Sequence, residues 1–145
     1  MKGTTHALAG GLIGAIIGSP LPAFVGGVVM HAVLDVVPHQ DEPDPPLLHL
    51  AVDALAVLTV LAVAALTGNL GIAAGGVGGV LPDIENVPDI LFKRTYRKLF
   101  PSHWFRHERY AGTRIARYAE AVVIVAVALG LAMVIRRTGI GGVLK

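Results

Sequence analysis

Residues 31–53 read HAVLDVVPHQDEPDPPLLHLAVD, and the fold turns on how they are read. An apolar run closes at Pro38, an acidic, proline-rich turn follows, and a second apolar run opens at Leu47. The first run ends with His31 and Asp35; the second begins with His49 and Asp53. On a helix, residues spaced i, i+4 share one face a turn apart. The stretch therefore predicts two helices whose polar ends meet at one junction.

Working outward, five apolar segments can be drawn, at about 4–17, 22–37, 47–67, 70–81 and 115–135. Gly18-Ser19-Pro20 stops the first, Pro22 suits the first turn of the second, and Pro82 ends the fourth. The third and fifth are long enough to cross a bilayer at about 1.5 Å per residue. The first and fourth are shorter than the usual ~17–25 residues. They either extend into their polar ends or form a shallow hairpin shielded by the longer helices. Glycines such as Gly10, Gly14, Gly27, Gly75 and Gly79 suit close helix packing in lipid. Residues 23–38 and 73–88 form a weak internal repeat, each with VGGV, then acids, then Val-Pro.

A length of 145 residues makes one domain. Its 54% hydrophobic and 15% charged composition favours an integral membrane protein. The expected fold is all-α: a membrane bundle of two helical hairpins plus a fifth helix, with 82–114 a polar loop. Lys2 before an apolar stretch also fits a signal peptide, but His6 and the glycines fit a retained helix better. Without cysteine, thiolate metal sites and thiol catalysis are excluded. A net charge of +2 gives no case for nucleic acid.

If the segments alternate in direction, all six histidines and all ten acids fall at one membrane face or in its first helical turns. Lys2, Lys93, Arg94, Arg97, Lys98, Arg106, Arg109, Arg114 and Arg117 join them, leaving Arg136, Arg137 and Lys145 opposite. By the positive-inside rule the polar face is cytoplasmic. It carries three i, i+4 pairs, His31/Asp35, His49/Asp53 and His103/His107, each able to offer two ligands to one cation. Imidazole with carboxylate suits Zn²⁺, Mn²⁺ or Fe²⁺ better than Mg²⁺ or Ca²⁺. Asp53, two turns into an apolar helix, needs a partner cation or metal. Residues 93–100 suit an anchor beside anionic lipid, and Tyr96, Trp104 and Tyr110 an interfacial belt.

THALAG at 5–10, HAVLDVVPHQD at 31–41, VLPDIENVP at 80–88 and HWFRH at 103–107 resemble a family of small prokaryotic inner-membrane proteins. That family, the LexA-regulated membrane hydrolase group, is described as metal-dependent hydrolases. Thr5-His6 and the His31/Asp35 pair match its motifs, and Leu81-Pro82-Asp83-Ile84 matches its Leu-Pro-Asp-Ile block. Glu85-Asn86 stands where that family has Asp-His, and no Thr-His-Ser follows, which leaves the metal number open. The His-x-x-x-Asp helices are more distantly similar to those of zinc-dependent phospholipases C.

The resemblance implies metal-dependent hydrolysis without naming a substrate. The donor types favour a divalent transition metal, zinc foremost, and a site at headgroup depth beside a basic run suits a lipid phosphoester or another amphiphile. His6, His31, Asp35, Asp83 and His107 are the preferred ligands; His39, His49, Asp53 and His103 complete or support the site. Glu85 is the expected general base, and Arg106 or Arg109 would hold an anionic group. The alternatives are a metal-ion or proton carrier, or a membrane-tethered interaction protein. A carrier should place ionisable groups at mid-membrane and on both sides. This chain leaves its far side nearly bare.

Overall fold

The structure, a computed structural model, describes residues 3–39, 46–93, 97–104 and 113–137. Among them every regular element is helical: α1 (Gly3–Ile17), α2 (Pro20–Val36), α3 (Pro46–Thr67), α4 (Leu70–Val80), α5 (Val87–Phe92) and α6 (Arg114–Arg137). Two 3₁₀ stretches, Leu81–Asn86 and Pro101–Trp104, complete the set.

The charge-free turns are built from glycine. Gly68 adopts φ 64°, a left-handed conformation that costs other residues a Cβ clash. Its N–H reaches Ala65 O at 3.3 Å, and the Asn69 N–H reaches Ala64 O at 3.1 Å, closing α3 in a Schellman motif. The Asn69 side chain then accepts from the Gly71 N–H at 2.9 Å and caps α4. Two residues thus end one helix and start the next. Gly18, at φ 74°, ends α1 in the same left-handed way, and Pro20 opens α2 two residues before the expected Pro22.

The polar loop expected over 82–114 is a correction. Leu81–Asn86 continues α4 as 3₁₀ helix, and α5 follows directly to Phe92. Pro82 and Pro88 lack the N–H for an α-helical bond, but both suit a first helical turn. The prolines change the helix type without ending the helix. Lys93, at φ 51°, ends the run.

Helix α4 packs most extensively on α1 and α2. It is antiparallel to α1, with Gly79, Gly75 and Gly71 set against His6, Gly10 and Gly14 in turn. A Cβ on Gly75 would run into the Gly10 carbonyl, and one on Gly10 or Gly27 into the Gly75 carbonyl. Backbone therefore meets backbone across the α1–α4–α2 core, as small residues allow in lipid. Val60 of α3 fills the notch above Gly11 and Gly76, in a cluster with Ala7, Ala56, Ala64 and Ile72. Helix α6 lies outside and parallel to α1: Val127 packs with Ala9, and Gly130 sits against Leu12.

This alternation brings the amino ends of α1, α3 and α6 and the carboxyl ends of α2 and α4 to one end of the bundle. Helices α3 and α6 are long and apolar enough to cross a membrane. Both leave large side chains outward, among them Leu55, Leu58, Val122, Val125 and Leu129.

Candidate metal centre

At that end, side chains from three parts of the chain converge. His31 and Asp35 come from the last turns of α2, and His6 from the first turn of α1. His103 is carried in by the 3₁₀ stretch Pro101–Trp104. His31 Nε2 and His103 Nε2 lie 3.1 Å apart. Asp35 Oδ2 lies 3.1 Å from the first and 3.6 Å from the second.

The other nitrogen of each ring is already committed. His31 Nδ1 donates to the Gly79 carbonyl at 2.8 Å, and His103 Nδ1 donates to Glu85 Oε1 at 2.6 Å. In the neutral rings both Nε2 atoms then carry lone pairs, and they face each other. A proton or a cation has to lie between them. A proton satisfies one pair of atoms, whereas a cation satisfies all three donors. With metal–ligand bonds of about 2.0–2.1 Å, the edges of a tetrahedral site are roughly 3.3 Å long, close to the three distances observed. Such a donor set can hold a metal ion.

His6 stacks on His31 with ring centroids 3.9 Å apart. It is buried, and neither of its ring nitrogens makes a hydrogen bond, although Nε2 lies 3.3 Å from Asp35 Oδ1. Asp83 accepts from the Asn86 amide at 3.2 Å through Oδ1, while its buried Oδ2 has no hydrogen-bond partner. His6, His31 and Asp83 form a second grouping able to hold a metal. Thr5 Oγ1, beside His6 in the Thr5-His6 motif, is likewise buried without a hydrogen-bond partner.

Glu85, expected as a free general base, is placed differently. Oε1 is held by the His103 ring, and Oε2 accepts from the Leu99 N–H at 2.6 Å. Burial pushes this carboxyl up, but the Leu99 N–H, the His103 ring and the Phe100 N–H outweigh it. Its pKa stays below the usual carboxylate value. Lys98 fastens the same segment, reaching Asp89 Oδ2 at 2.6 Å and the Glu85 carbonyl at 3.1 Å. Glu85 and Lys98 together fold residues 98–103 back over this end of the bundle.

His6, His31, Asp35 and Asp83 of the preferred ligands come together, joined by His103 from the residues expected to complete or support the site. His107, Arg106 and Arg109 lie outside the described residues. His49 falls on α3, but its side chain is not among those described. His39 is buried just beyond α2, donating through Nδ1 to the Val37 carbonyl at 2.6 Å, and belongs to neither grouping.

Asp53 makes a described contact that its spacing from His49 does not announce. Its Oδ1 accepts from both the Thr4 N–H and the Thr4 hydroxyl at 2.7 Å. One partner of this carboxylate is thus the amino terminus of α1, whose unpaired N–H groups and dipole favour an anion. We expect Asp53→Ala to lower stability by about 1–2 kcal/mol, the usual worth of a helix cap. Asp53→Asn, which keeps an acceptor oxygen, should recover part of it. Thermal unfolding in detergent measures both, and an unchanged midpoint for Asp53→Ala would remove the cap from the account.

No family model, curated protein or solved structure matches the chain.

Proposed function

We propose that the chain is a membrane-embedded, metal-dependent hydrolase of a lipid phosphoester or a similar amphiphile. The observation that carries this reading is the pair of facing imidazole nitrogens with the Asp35 carboxylate beside them. His31 Nε2, His103 Nε2 and Asp35 Oδ2 would hold zinc, which two imidazoles and a carboxylate suit. Three protein ligands leave a fourth position for water, the count of a catalytic rather than a structural zinc site. The side of approach is that of Asp83, whose side chain is 21% exposed against 10% or less for His6, His31, Asp35 and His103.

A bound zinc ion would lower the pKa of water towards neutrality and polarise the phosphoryl oxygen. The protein's part is to fix the ligands. The Gly79 carbonyl and Glu85 set the tautomers of His31 and His103, turning both Nε2 lone pairs inward. Glu85 is therefore read here as the group that orients His103, not as the base.

The outward apolar side chains of α3 and α6 suit a bilayer, and a site at one end of such a bundle lies at headgroup depth. Lys93 and Arg97, exposed near the same end, suit an anionic headgroup. The charge asymmetry supports a multi-pass inner-membrane protein with this end in the cytoplasm. The short motifs that resemble those of the membrane hydrolase group suit the same chemistry.

The test starts from protein purified in detergent. Zinc should co-purify, and headgroup or phosphate should be released from at least one member of a panel of phospholipids and prenyl phosphates. Chelation should stop the release, and added zinc should restore it. Metal that stays bound without turnover on any amphiphile would favour the carrier reading, which zinc flux into proteoliposomes then measures. Protein that neither carries nor takes up metal would refute both.

A further inference from the structure

We propose that this centre takes two divalent transition-metal ions rather than one, with Asp35 bridging them. The inference rests on the hydrolase reading for its first ion and adds a second position beside it. The two oxygens of Asp35 face different partners. Oδ2 faces His31 Nε2 and His103 Nε2, whereas Oδ1 lies 3.3 Å from His6 Nε2. One carboxylate thus touches both sets of donors, as a bridging ligand must.

The second position has its own donors. His6 is 1% exposed; its Nδ1 has no hydrogen-bond partner, and its Nε2 has the Asp35 carboxylate at 3.3 Å as its polar protein contact among the described residues. A buried imidazole placed in this way beside a carboxylate is arranged as a pair of ligands to one ion. Asp83 Oδ2 is buried and equally without a hydrogen-bond partner, while Asn86 secures its other oxygen. His6 Nε2, Asp35 Oδ1 and Asp83 Oδ2 would hold the second ion.

His31 cannot serve both positions, because its Nδ1 is bonded to the Gly79 carbonyl. The grouping of His6 and Asp83 around His31 therefore needs the bridge from Asp35 to be complete. Stacking of His6 on His31 at 3.9 Å sets the two imidazole ligands side by side, so that two ions would lie close together. Two-metal sites hold their ions ~3.5–4 Å apart and clamp both the attacking and the leaving oxygen of a phosphoester. That geometry fits the substrate class proposed above.

The experiment counts ions. Wild-type protein, stripped and reloaded with Zn²⁺ or with Mn²⁺, should hold two per chain. The manganese form should give the exchange-coupled electron paramagnetic resonance spectrum of a bridged pair. His6→Phe keeps a ring stacked on His31 but removes the ligand, so it should hold one ion and show an isolated Mn²⁺ signal. Asp83→Asn should do the same, and decides the matter if His6→Phe does not fold. One ion per wild-type chain, or two ions in either folded variant, overturns the second position and leaves the hydrolase reading standing. No bound ion in the wild type overturns both.

Discussion

Gly75→Val is expected to remove the fold, lowering the unfolding midpoint by on the order of 10 °C or leaving no dispersed protein to measure. Gly75 lies where α1, α4 and α2 come closest. A Cβ there would enter the Gly10 carbonyl and stand 2.8 Å from Gly14 Cα, distances no real contact shows. Neither neighbour is a flexible side chain that could rotate away. Overpacking a core costs about 1–3 kcal/mol when side chains yield, and more when backbone must move. Valine adds two methyl groups and a β-branch, so about 3 kcal/mol or more is expected. Ala65→Val, on the exposed face of α3, adds the same methyls where nothing is close, and its midpoint should stay near wild type. Equal midpoints for the two variants would show that the three helices are not in backbone contact.

The helices were legible because the chain marks them with glycine and proline. Gly18 and Gly68 stand one residue past their helices in the left-handed conformation, where a sequence rule would put them. The same rule misreads Pro82 and Pro88. Each looks like a break, and each instead sits in a helical first turn, so the run from Leu70 to Phe92 stays right-handed. Periodicity cannot separate these cases, because the difference lies in which carbonyls the missing N–H would have served.

The site was legible to the extent that it follows from helix direction. His6, His31, Asp35 and Asp83 lie at helix ends, and alternation alone brings those ends together. Asp53, at i, i+4 from His49, has the form of a ligand pair, and that form hides its other contact. Its carboxylate is taken by Thr4, 49 residues away in the chain, and no local pattern announces that. The place of His103 is also non-local. It depends on Glu85 capturing the N–H groups of Leu99 and Phe100, which turns the segment back on itself. Asn86 holds Asp83 through its amide, again a contact that no spacing rule announces.

Glu85 consequently carries the second large effect. As a free base it would leave metal content unchanged when altered and reduce only turnover. The geometry implies the opposite order. Glu85 Oε1 receives the His103 Nδ1–H at 2.6 Å and so fixes which nitrogen faces the proposed metal position. Glu85→Gln keeps the shape but replaces a carboxylate acceptor with an amide that can also present its NH₂, so the favoured tautomer and ring orientation are lost. Changes to such supporting groups typically weaken metal affinity about 10–100-fold. We expect zinc affinity to fall by that factor in competition with a chromophoric chelator, and turnover at limiting zinc to fall with it. Saturating zinc should restore most of the turnover, because the ligands themselves remain. A loss of about 10²–10⁴-fold in turnover at unchanged zinc affinity would instead return Glu85 to the role of general base. His103→Ala separates the two cases. If Glu85 acts through His103, Glu85→Gln should add little to the metal loss already caused by His103→Ala; an independent base would add its full effect.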